Sequence, residues 1–247
     1  MTQLVGILNL TPDSFSDGGL FTETVKAIEQ ATSLFAKGAA LVDIGAESTR
    51  PGAKALTSDE EWHRLEPVLT ELFERYPGKL SVDTYHPETA ARALALGDVI
   101  INDVTGLNDS DMVDVIVGYN ARCVIGQLPG GNIEAAHRGK LVDDVAAVTQ
   151  DLLAKAAELE ERGLNRDKII LDPGIGFGKT PELNVELQAF AKEVPDYKVM
   201  IGYSRKRHLG DKRMELEPNL EAGRAAIAAG AAYLRVHDVA GHHRLLQ

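Results

Sequence analysis

The amino-acid sequence predicts an α/β fold, a single (β/α)8 barrel (TIM barrel), and three observations point to it. Eight short apolar runs recur along the 247 residues, and a helical pattern follows each of them. Near-continuous apolar strands alternating with helices are typical of a parallel sheet covered by helices. The length suits eight such units in one domain, and polar residues stand just past each run. We therefore expect one barrel domain over residues 1–247.

The pattern assigns strands and helices in chain order. The strands, short and nearly all apolar, are predicted over residues 4–8, 41–44, 80–82, 99–101, 122–125, 169–171, 199–201 and 233–236. The helices are predicted over residues 22–37, 58–76, 87–96, 110–118, 141–162, 181–191, 220–229 and 239–246. Ser58 and Glu61 predict a capping box at the start of the second helix. Pro87 is typical of a helix start, and Gly97 of the residue after a helix end.

Composition and charge exclude several classes of protein. The net charge of −11, with no basic stripe to offset it, argues against a nucleic-acid partner. The single cysteine, Cys123, lies in an apolar run, so we expect a buried, inert thiol and no internal disulfide. The N-terminus has no basic flank and only a short apolar run, so neither a signal peptide nor a membrane span is predicted. A cytoplasmic location is the resulting expectation.

The polar residues stand where this fold places its chemistry, at the C-terminal ends of the strands. Acidic and amide groups can hold a neutral ring through its N–H and C=O edge, whereas cations suit phosphate or carboxylate. Asn9 offers a neutral oxygen of the kind that hard cations accept. We therefore expect a site for a flat, nitrogen-rich ring at one end and phosphates at the other. The ring set is Asp83, Asn102 and Asp172, and the cationic set is Arg50, Lys206, Arg235 and His237.

The segment after the sixth strand carries the clearest signal. Asp172 ends the strand, and Pro173 and a glycine-rich loop follow it. Glycines allow a ligand to approach the backbone closely. The loop is not a nucleotide motif, because Pro173 stands where a phosphate loop needs Gly and Lys179 where the dinucleotide fingerprint needs it. On this segment alone, a turn-forming role for Asp172 remains an alternative.

Seven segments, each at its own strand end, carry a resemblance to a known family. The chain resembles the bacterial dihydropteroate synthases along nearly its whole length. These enzymes are (β/α)8 barrels that join 6-hydroxymethyl-7,8-dihydropterin pyrophosphate to p-aminobenzoate, giving 7,8-dihydropteroate and pyrophosphate in folate biosynthesis. Sulfonamides compete for the p-aminobenzoate site. The segments are GILNLTPDSFSDGG, DIGAESTRPGA, SVDTYHPE, IINDV, ILDPGIGFGKT, GYSRK and RVHDV.

The resemblance implies roles for individual residues. The pterin would be held by Asp83, Asn102, Asp172 and Lys206, and the pyrophosphate with its Mg²⁺ by Asn9, Arg235 and His237, with Asn9 as the metal ligand. Two loops would act as lids over the substrates, the first carrying Asp13 and Phe15 and the second Thr49, Arg50 and Pro51. The residues implied to be catalytic are Asp13, Arg50, Lys206, Arg235 and His237.

The implied mechanism follows from charge. Mg²⁺ and the cations stabilise the departing pyrophosphate. The dihydropterin methylene delocalises positive charge into its ring, so departure can precede attack by the aromatic amine. Closed lids would exclude water from that cation.

The sequence departs from the family in three places. Ile125-Gly126-Gln127-Leu128 stands where a Met-His-Met stretch is usual, and Arg207 stands where Ser is usual. The region between Lys206 and Arg235, which builds a dimer surface in the family, is shorter than usual, so a homodimer is an expectation that this region leaves open. A methyltetrahydrofolate-type methyltransferase and a non-catalytic pterin-binding paralogue are the alternative functions.

Overall fold

The structure is a computed structural model that describes residues 1–10, 19–48, 52–53, 55–133, 136, 139 and 141–247, with backbone only at 19–21. Its eight named strands form a closed parallel barrel in the order β1 to β8. This confirms the predicted (β/α)8 fold. The strands are β1 Gln3–Asn9, β2 Leu41–Gly45, β3 Leu80–Asp83, β4 Val99–Asp103, β5 Arg122–Gly126, β6 Ile169–Asp172, β7 Lys198–Ile201 and β8 Tyr233–Val236.

The helices pack around the outside of the barrel. Those that the structure describes are α1 Gly19–Ala36, α2 Ser58–Arg75, α3 Pro87–Leu96, α4 Ser110–Gly118, α5 Val145–Glu161, α6 Pro181–Glu186, α7 Leu216–Ala228 and α8 Val239–His243. The predicted bounds of α3, α4 and β8 are confirmed, and the other strands differ from prediction by one or two residues at an end. None of the described helices combines the length and the apolar character that crossing a lipid bilayer requires.

Five helix predictions need correction. The first helix begins at Gly19 rather than at residue 22, and the last ends at His243 and continues as a 3₁₀-helix over Arg244–Leu246. The fifth helix begins at Val145 rather than at residue 141, because Asp144 caps it and Val142 forms a parallel bridge to Lys179. The seventh begins at Leu216 rather than at residue 220. The helix predicted over residues 181–191 ends at Glu186 and continues as a 3₁₀-helix over Leu187–Lys192.

The predicted capping box of α2 is displaced by one residue. Thr57 is the N-cap, its hydroxyl accepts from the Glu60 N–H (3.2 Å), and the Glu60 carboxylate accepts from the Thr57 N–H (2.9 Å). Glu61, which the sequence placed in the box, is buried instead. Thr57 and Ser58 can both cap a helix. The bond between Glu61 and Thr84 favours Thr57 as the N-cap, one residue earlier than predicted.

The apolar core has two parts because residues of a strand face alternate sides. One part fills the barrel and consists of Val5, Leu41, Ile100, Val124, Ile170 and Met200, packed against Tyr233. The other lies between the strands and the helices and contains the buried Cys123. Its predicted burial is confirmed, and burial raises the pKa of the Cys123 thiol to about 12.

Candidate active site

A polar layer lies directly above the apolar filling of the barrel. Asp43, Asn102, Asp172 and Arg235 each follow a residue of that filling by two positions, so the strand alternation turns them inward as well. Asp83 joins them, since it stands opposite Asn102 in the β3–β4 register. These residues end their strands or lie one or two positions before the end. The barrel therefore brings together the ring-binding set that the sequence predicted and adds Asp43.

Arg235 is the centre of the acidic side of this layer. Its Nε donates to Asp43 Oδ2 and its Nη2 to Asp83 Oδ2, both at 2.6 Å. Asn102 Nδ2 also donates to Asp43 Oδ2 (3.1 Å). The Asp43 side chain is fully buried, while that of Asp83 keeps a quarter of its surface exposed. The sequence grouped Arg235 with the cations that face phosphate, but in this structure two carboxylates hold its guanidinium.

Charges in this cluster act on one another. Burial raises the pKa of the Asp83 carboxyl to about 7, with Arg235 opposing the rise and Asp43 adding to it. The 2.6 Å bond that Arg235 Nη2 donates to Asp83 Oδ2 favours the carboxylate form, which can accept hydrogen bonds from a ligand.

Asp172 and Lys206 face a gap on the opposite side. The Gly174 N–H donates to Asp172 Oδ1 (2.8 Å), which fixes the carboxylate. A Cβ atom on Gly202 would stand 3.6 Å from Asp172 Oδ2 and 3.9 Å from Lys206 Nζ. Arg235 Cβ would stand 4.0 Å from the same point, which glycine leaves free of a side chain and which we call the gap over Gly202.

The Lys206 ammonium is positioned by the loop after β6. It donates to the carbonyl of Ile175 and lies 5.0 Å from the centroid of the Phe177 ring. Burial lowers its pKa to about 8, and Asp172 partly offsets the decrease. Gly176 is needed beside it, because its φ is +87° and a Cβ there would stand 3.0 Å from Lys206 Cδ.

Lys179 is a structural part of the site that sequence reasoning missed. It is 5% exposed, and its ammonium donates to the carbonyls of Gln127 (3.1 Å), Gly174 (3.0 Å) and Phe177 (3.1 Å). These bonds tie the loop after β5 to the loop after β6. Burial lowers the pKa of Lys179 to about 7. The only signal in the sequence was a lysine inside a glycine-rich loop, where carbonyl groups are accessible.

The phosphate-binding set is brought together only in part. His237 Nδ1 lies 3.0 Å from the hydroxyl of Ser204, which is buried. The backbone N–H of His237 donates to the same hydroxyl (3.3 Å). Ser204, three residues past β7, therefore fixes the position of the ring that follows β8. Asn9 is the exposed last residue of β1 and stands opposite Gly45 in the β1–β2 register.

Comparison with known proteins places the chain in a family. A family model described as pterin binding enzyme matches residues 5–237. The chain belongs to this pterin-binding enzyme family. It is 38% identical to the dihydropteroate synthase of Neisseria meningitidis serogroup C, over 96% of this chain and 88% of that protein. The predicted resemblance is thereby confirmed.

Solved structures of family members agree with the barrel. The dihydropteroate synthase of Xanthomonas albilineans in complex with 7,8-dihydropteroate has a TM-score of 0.84 and 32% identity, over 99% of this chain and 91% of that chain. The Yersinia pestis dihydropteroate synthase with a sulfonamide drug has a TM-score of 0.89 and 30% identity, over 98% and 91%.

Several residues that the family resemblance singled out lie outside the described residues. They belong to the two predicted lid loops, and their roles stay predictions. These residues are Asp13, Phe15, Thr49, Arg50 and Pro51.

The departure from the family pattern after β5 has a structural reason. A Cβ at Gly126 would stand 2.8 Å from Val104 Cα and 2.9 Å from the Asp103 carbonyl, so a larger residue would require the backbone to shift. The Gln127 amide donates to Asp151 on α5 (2.9 Å), which directs the side chain toward the helix layer. In this pterin-binding enzyme, Gln127 therefore contributes its backbone carbonyl, through Lys179, to the site.

Two histidines outside the polar layer are buried or partly buried. His242 is 1% exposed, its Nδ1 lies 2.6 Å from the Asp238 carbonyl, and its ring stands 5.9 Å from that of Tyr203. The contacts of His242 show that α8 folds back against the barrel. His86 is partly buried and contacts Glu47 rather than solvent alone.

Proposed function

We propose that this chain is a dihydropteroate synthase, which joins the methylene of 6-hydroxymethyl-7,8-dihydropterin pyrophosphate to the amine of p-aminobenzoate and releases pyrophosphate. The observation that carries the proposal is the gap over Gly202 between the Asp172 carboxylate and the Lys206 ammonium. The family and the relatives bear out the synthase reaction predicted from the sequence, which is that of a transferase. They do not favour the methyltransferase or the non-catalytic paralogue.

The pterin fits the polar layer through its hydrogen-bonding edge. Asp172 Oδ2 faces the gap, while Oδ1 is held by Gly174, so one carboxylate oxygen is oriented toward ring N–H groups. Lys206 donates to ring acceptors from the other side of the gap. Asn102 and Asp83 complete the ring of polar groups with an amide and a carboxylate.

The pyrophosphate end uses the exposed edge of the barrel. Arg235 donates its Nε–H and one Nη2–H to the carboxylates of Asp43 and Asp83. Its remaining N–H groups can donate to phosphate oxygens. His237, fixed by Ser204, stands one residue past the end of β8 on the same side. Together they place positive charge where negative charge develops on the leaving group.

Asn9 suits a role as the protein ligand of Mg²⁺. It is exposed at the end of β1 and offers an uncharged oxygen. Mg²⁺ in phosphate sites keeps several waters and is bound largely by the substrate phosphates, so Asn9 would add one oxygen to a shell that these already supply. When bound, the ion neutralises charge on the pyrophosphate.

The reaction requires little from acid–base side chains. The C–O bond between the methylene and pyrophosphate breaks, and both electrons leave with the pyrophosphate. The amine nitrogen of p-aminobenzoate then forms the new C–N bond and releases its proton. The chain's task is to hold both partners and to stabilise the departing charge. Closure of the two lid loops over this site stays a prediction.

Three finer properties also stay predictions. Inhibition by sulfonamides follows from competition with p-aminobenzoate, and a sulfonamide drug is bound in the Yersinia pestis relative. A homodimer and a cytoplasmic location rest on the sequence alone.

The test is a coupled assay for pyrophosphate release and 7,8-dihydropteroate formation by the purified chain. We expect both products in equal amounts, with dependence on Mg²⁺ and on p-aminobenzoate. Pterin binding without either product would indicate the non-catalytic paralogue. Methyl transfer from methyltetrahydrofolate would indicate the methyltransferase. The Asp172→Asn variant serves as the inactive control.

A further inference from the structure

A second cluster of metal-ligating side chains lies beside the polar layer. It combines Glu47, two residues after β2, with His86, three residues after β3, and Glu61, in the first turn of α2. One ligand atom from each residue lies within 4.8 Å of those of the other two. Three separate segments of the chain therefore bring two carboxylates and an imidazole to one point. None of the three belongs to the site proposed for the synthase reaction.

The cluster is sheltered but reachable. The Glu47 side chain is 7% exposed and the His86 side chain 18% exposed, whereas Glu61 as a whole is 1% exposed. His86 Nε2 stands 3.1 Å from Glu47 Oε2. The partial exposure of His86 leaves an approach from solvent, while the carboxylates stand in a protected environment.

One oxygen of the buried Glu61 has no hydrogen-bond donor among the described residues. Its Oε2 accepts from the Thr84 hydroxyl (2.6 Å), but Oε1 is buried without a partner. The nearby Thr89 hydroxyl instead donates to the Ser58 carbonyl (3.3 Å). Burial raises the pKa of Glu61. A buried carboxylate oxygen without a donor is costly, and a cation would satisfy it.

We propose that Glu47, Glu61 and His86 form a binding site for a first-row transition-metal ion of the Zn²⁺ type. Bonds of about 2.0–2.2 Å put neighbouring ligand atoms of a tetrahedral zinc site about 3.4 Å apart. The 3.1 Å between His86 Nε2 and Glu47 Oε2 is already near that value. The Glu61 ligand atom lies within 4.8 Å of both and supplies the third donor.

The donor set selects the class of ion. An imidazole nitrogen with two carboxylates suits Zn²⁺ and related ions, whereas Mg²⁺ and Ca²⁺ prefer sites made of oxygen alone. The site is thus chemically distinct from the pyrophosphate–Mg²⁺ site at Asn9.

Tyr85 supports the site from outside the ligands. Its hydroxyl donates to Glu47 Oε1, the oxygen that does not face His86. Hydrogen bonds of this kind orient a ligating carboxylate, and their loss typically weakens metal binding about 10–100-fold. Tyr85 is therefore assigned as a positioning residue.

The test measures Zn²⁺ binding by isothermal titration to the full chain after chelator treatment, with no substrate or pyrophosphate present. We expect one ion per chain with a Kd below about 10 µM, which corresponds to roughly 7 kcal/mol. His86→Gln and Glu47→Gln should each weaken binding at least about tenfold, and Tyr85→Phe should weaken it as well. Co²⁺ as a second probe should give visible absorption bands that the His86→Gln variant lacks.

His63→Gln is the matched control, because His63 is an exposed histidine on α2 outside the cluster. It should bind Zn²⁺ as the wild-type chain does. Glu61→Gln guards against misfolding as an explanation, since a neutral amide relieves the buried charge and should preserve the thermal transition while abolishing the Zn²⁺-induced rise in Tm. A wild-type Kd above about 10 µM, or equal affinity in the wild-type, His86→Gln and Glu47→Gln chains, would reduce the cluster to a hydrogen-bonded network.

Discussion

On the β2–β4 side of the barrel mouth, carboxylates surround a single guanidinium, whereas on the β6–β7 side two ammonium groups are held by backbone carbonyls. Arg235 is bound to Asp43 and Asp83 at 2.6 Å each. Lys179 has three carbonyl acceptors, and Lys206 has the carbonyl of Ile175. The two sides thus position cations of equal charge by different means.

The difference shows which groups remain available to a ligand. Carbonyl groups carry no formal charge and offset burial less than a carboxylate does, and burial lowers the pKa of Lys179 to about 7 and of Lys206 to about 8. On the same side, Asp172 Oδ1 accepts from the Gly174 N–H and Oδ2 faces the gap over Gly202. On the other side, Oδ2 of the Asp43 carboxylate accepts from both Arg235 and Asn102, while its buried Oδ1 has no donor among the described residues.

The largest expected effect comes from removing the guanidinium on the acidic side. Arg235→Met leaves the fully buried Asp43 beside Asp83 without a cation. Breaking a buried ion pair in this way costs about 3–5 kcal/mol, so we expect the free energy of unfolding at pH 7.5 to fall by that amount. Urea unfolding measures it, and Arg244→Met, at an exposed arginine near the C-terminus, is the control.

The pH dependence of this variant sharpens the comparison. Arg235 opposes the raised pKa of Asp83, so without Arg235 the folded-state pKa of Asp83 rises further above the unfolded value. The folded variant then binds more protons than the unfolded chain and loses stability as pH increases. The deficit should therefore be smaller at pH 5.5 than at pH 8. Adding Asp43→Asn should recover part of it. A loss below about 1 kcal/mol would mean that the pair contributes no more than a surface salt bridge.

The next effect concerns the carboxylate on the lysine side. Asp172→Asn replaces an acceptor that faces the gap with an amide whose NH₂ opposes the ring N–H groups. We expect pterin affinity to fall by roughly 3 kcal/mol, or about a hundredfold or more. Isothermal titration with the pterin substrate measures this change. Asp167→Asn is the control, because Asp167 is exposed just before the opposite end of β6. Affinity within a factor of two of the wild type would remove Asp172 from the pterin site.

A smaller effect is expected at the carbonyl-held lysine. Lys179→Met releases the Gln127, Gly174 and Phe177 carbonyls, and we expect a loss of about 2 kcal/mol in unfolding free energy after the lysine's own desolvation is counted. The KM for the pterin substrate should rise because Phe177 and Gly174 shift. Lys192→Met, at an exposed lysine, should leave both quantities unchanged.

The pH dependence separates this variant from a simple packing defect. The pKa of Lys179 is about 7 in the folded chain, against about 10.4 when unfolded. Between those values the unfolded chain binds more protons, so the free energy of unfolding rises with pH by up to about 1.4 kcal/mol per unit. Urea unfolding at pH 7.5 and 9 should show a shallower rise in Lys179→Met. Parallel profiles for the two chains would contradict the lowered pKa.

The smallest effect is expected at Arg207. This residue lies exposed on the 3₁₀-helix Arg207–Leu209, just past Lys206. A solvent-screened contact to the p-aminobenzoate carboxylate is worth about 0.2–1 kcal/mol, so Arg207→Ser should raise the KM for p-aminobenzoate by no more than about fivefold. Inhibition by a sulfonamide, which lacks the carboxylate, should change less. Equal changes for both compounds would argue against any contact with the carboxylate.

The sequence predicted the positions of the site residues better than their partners. Asp83, Asn102, Asp172 and Arg235 were placed at strand ends because polar residues directly follow apolar runs, and the barrel confirms that placement. Their partners come from strands far apart in the chain, as Arg235 and Asp43 do across 192 positions. No local pattern carries such a pairing.

Local competition accounts for the misplaced elements. Thr57 and Ser58 are both capable N-caps, and the burial of Glu61 against Thr84 decides between them. The later start of α5 follows from the bridge between Val142 and Lys179, a contact between two loops.

By itself, the sequence determined the barrel, the strand ends that carry the chemistry and the family, because the alternation of apolar and polar residues is local and is written in the chain. Only the tertiary structure decided how the charges are shared. In the folded barrel Arg235 donates to Asp43 and Asp83, and Lys179 is surrounded by backbone carbonyls. His86 lies beside Glu47 and Glu61. The energy of a buried charge depends on the distance to its neighbours and on their exclusion of water, and both are set only when distant segments meet.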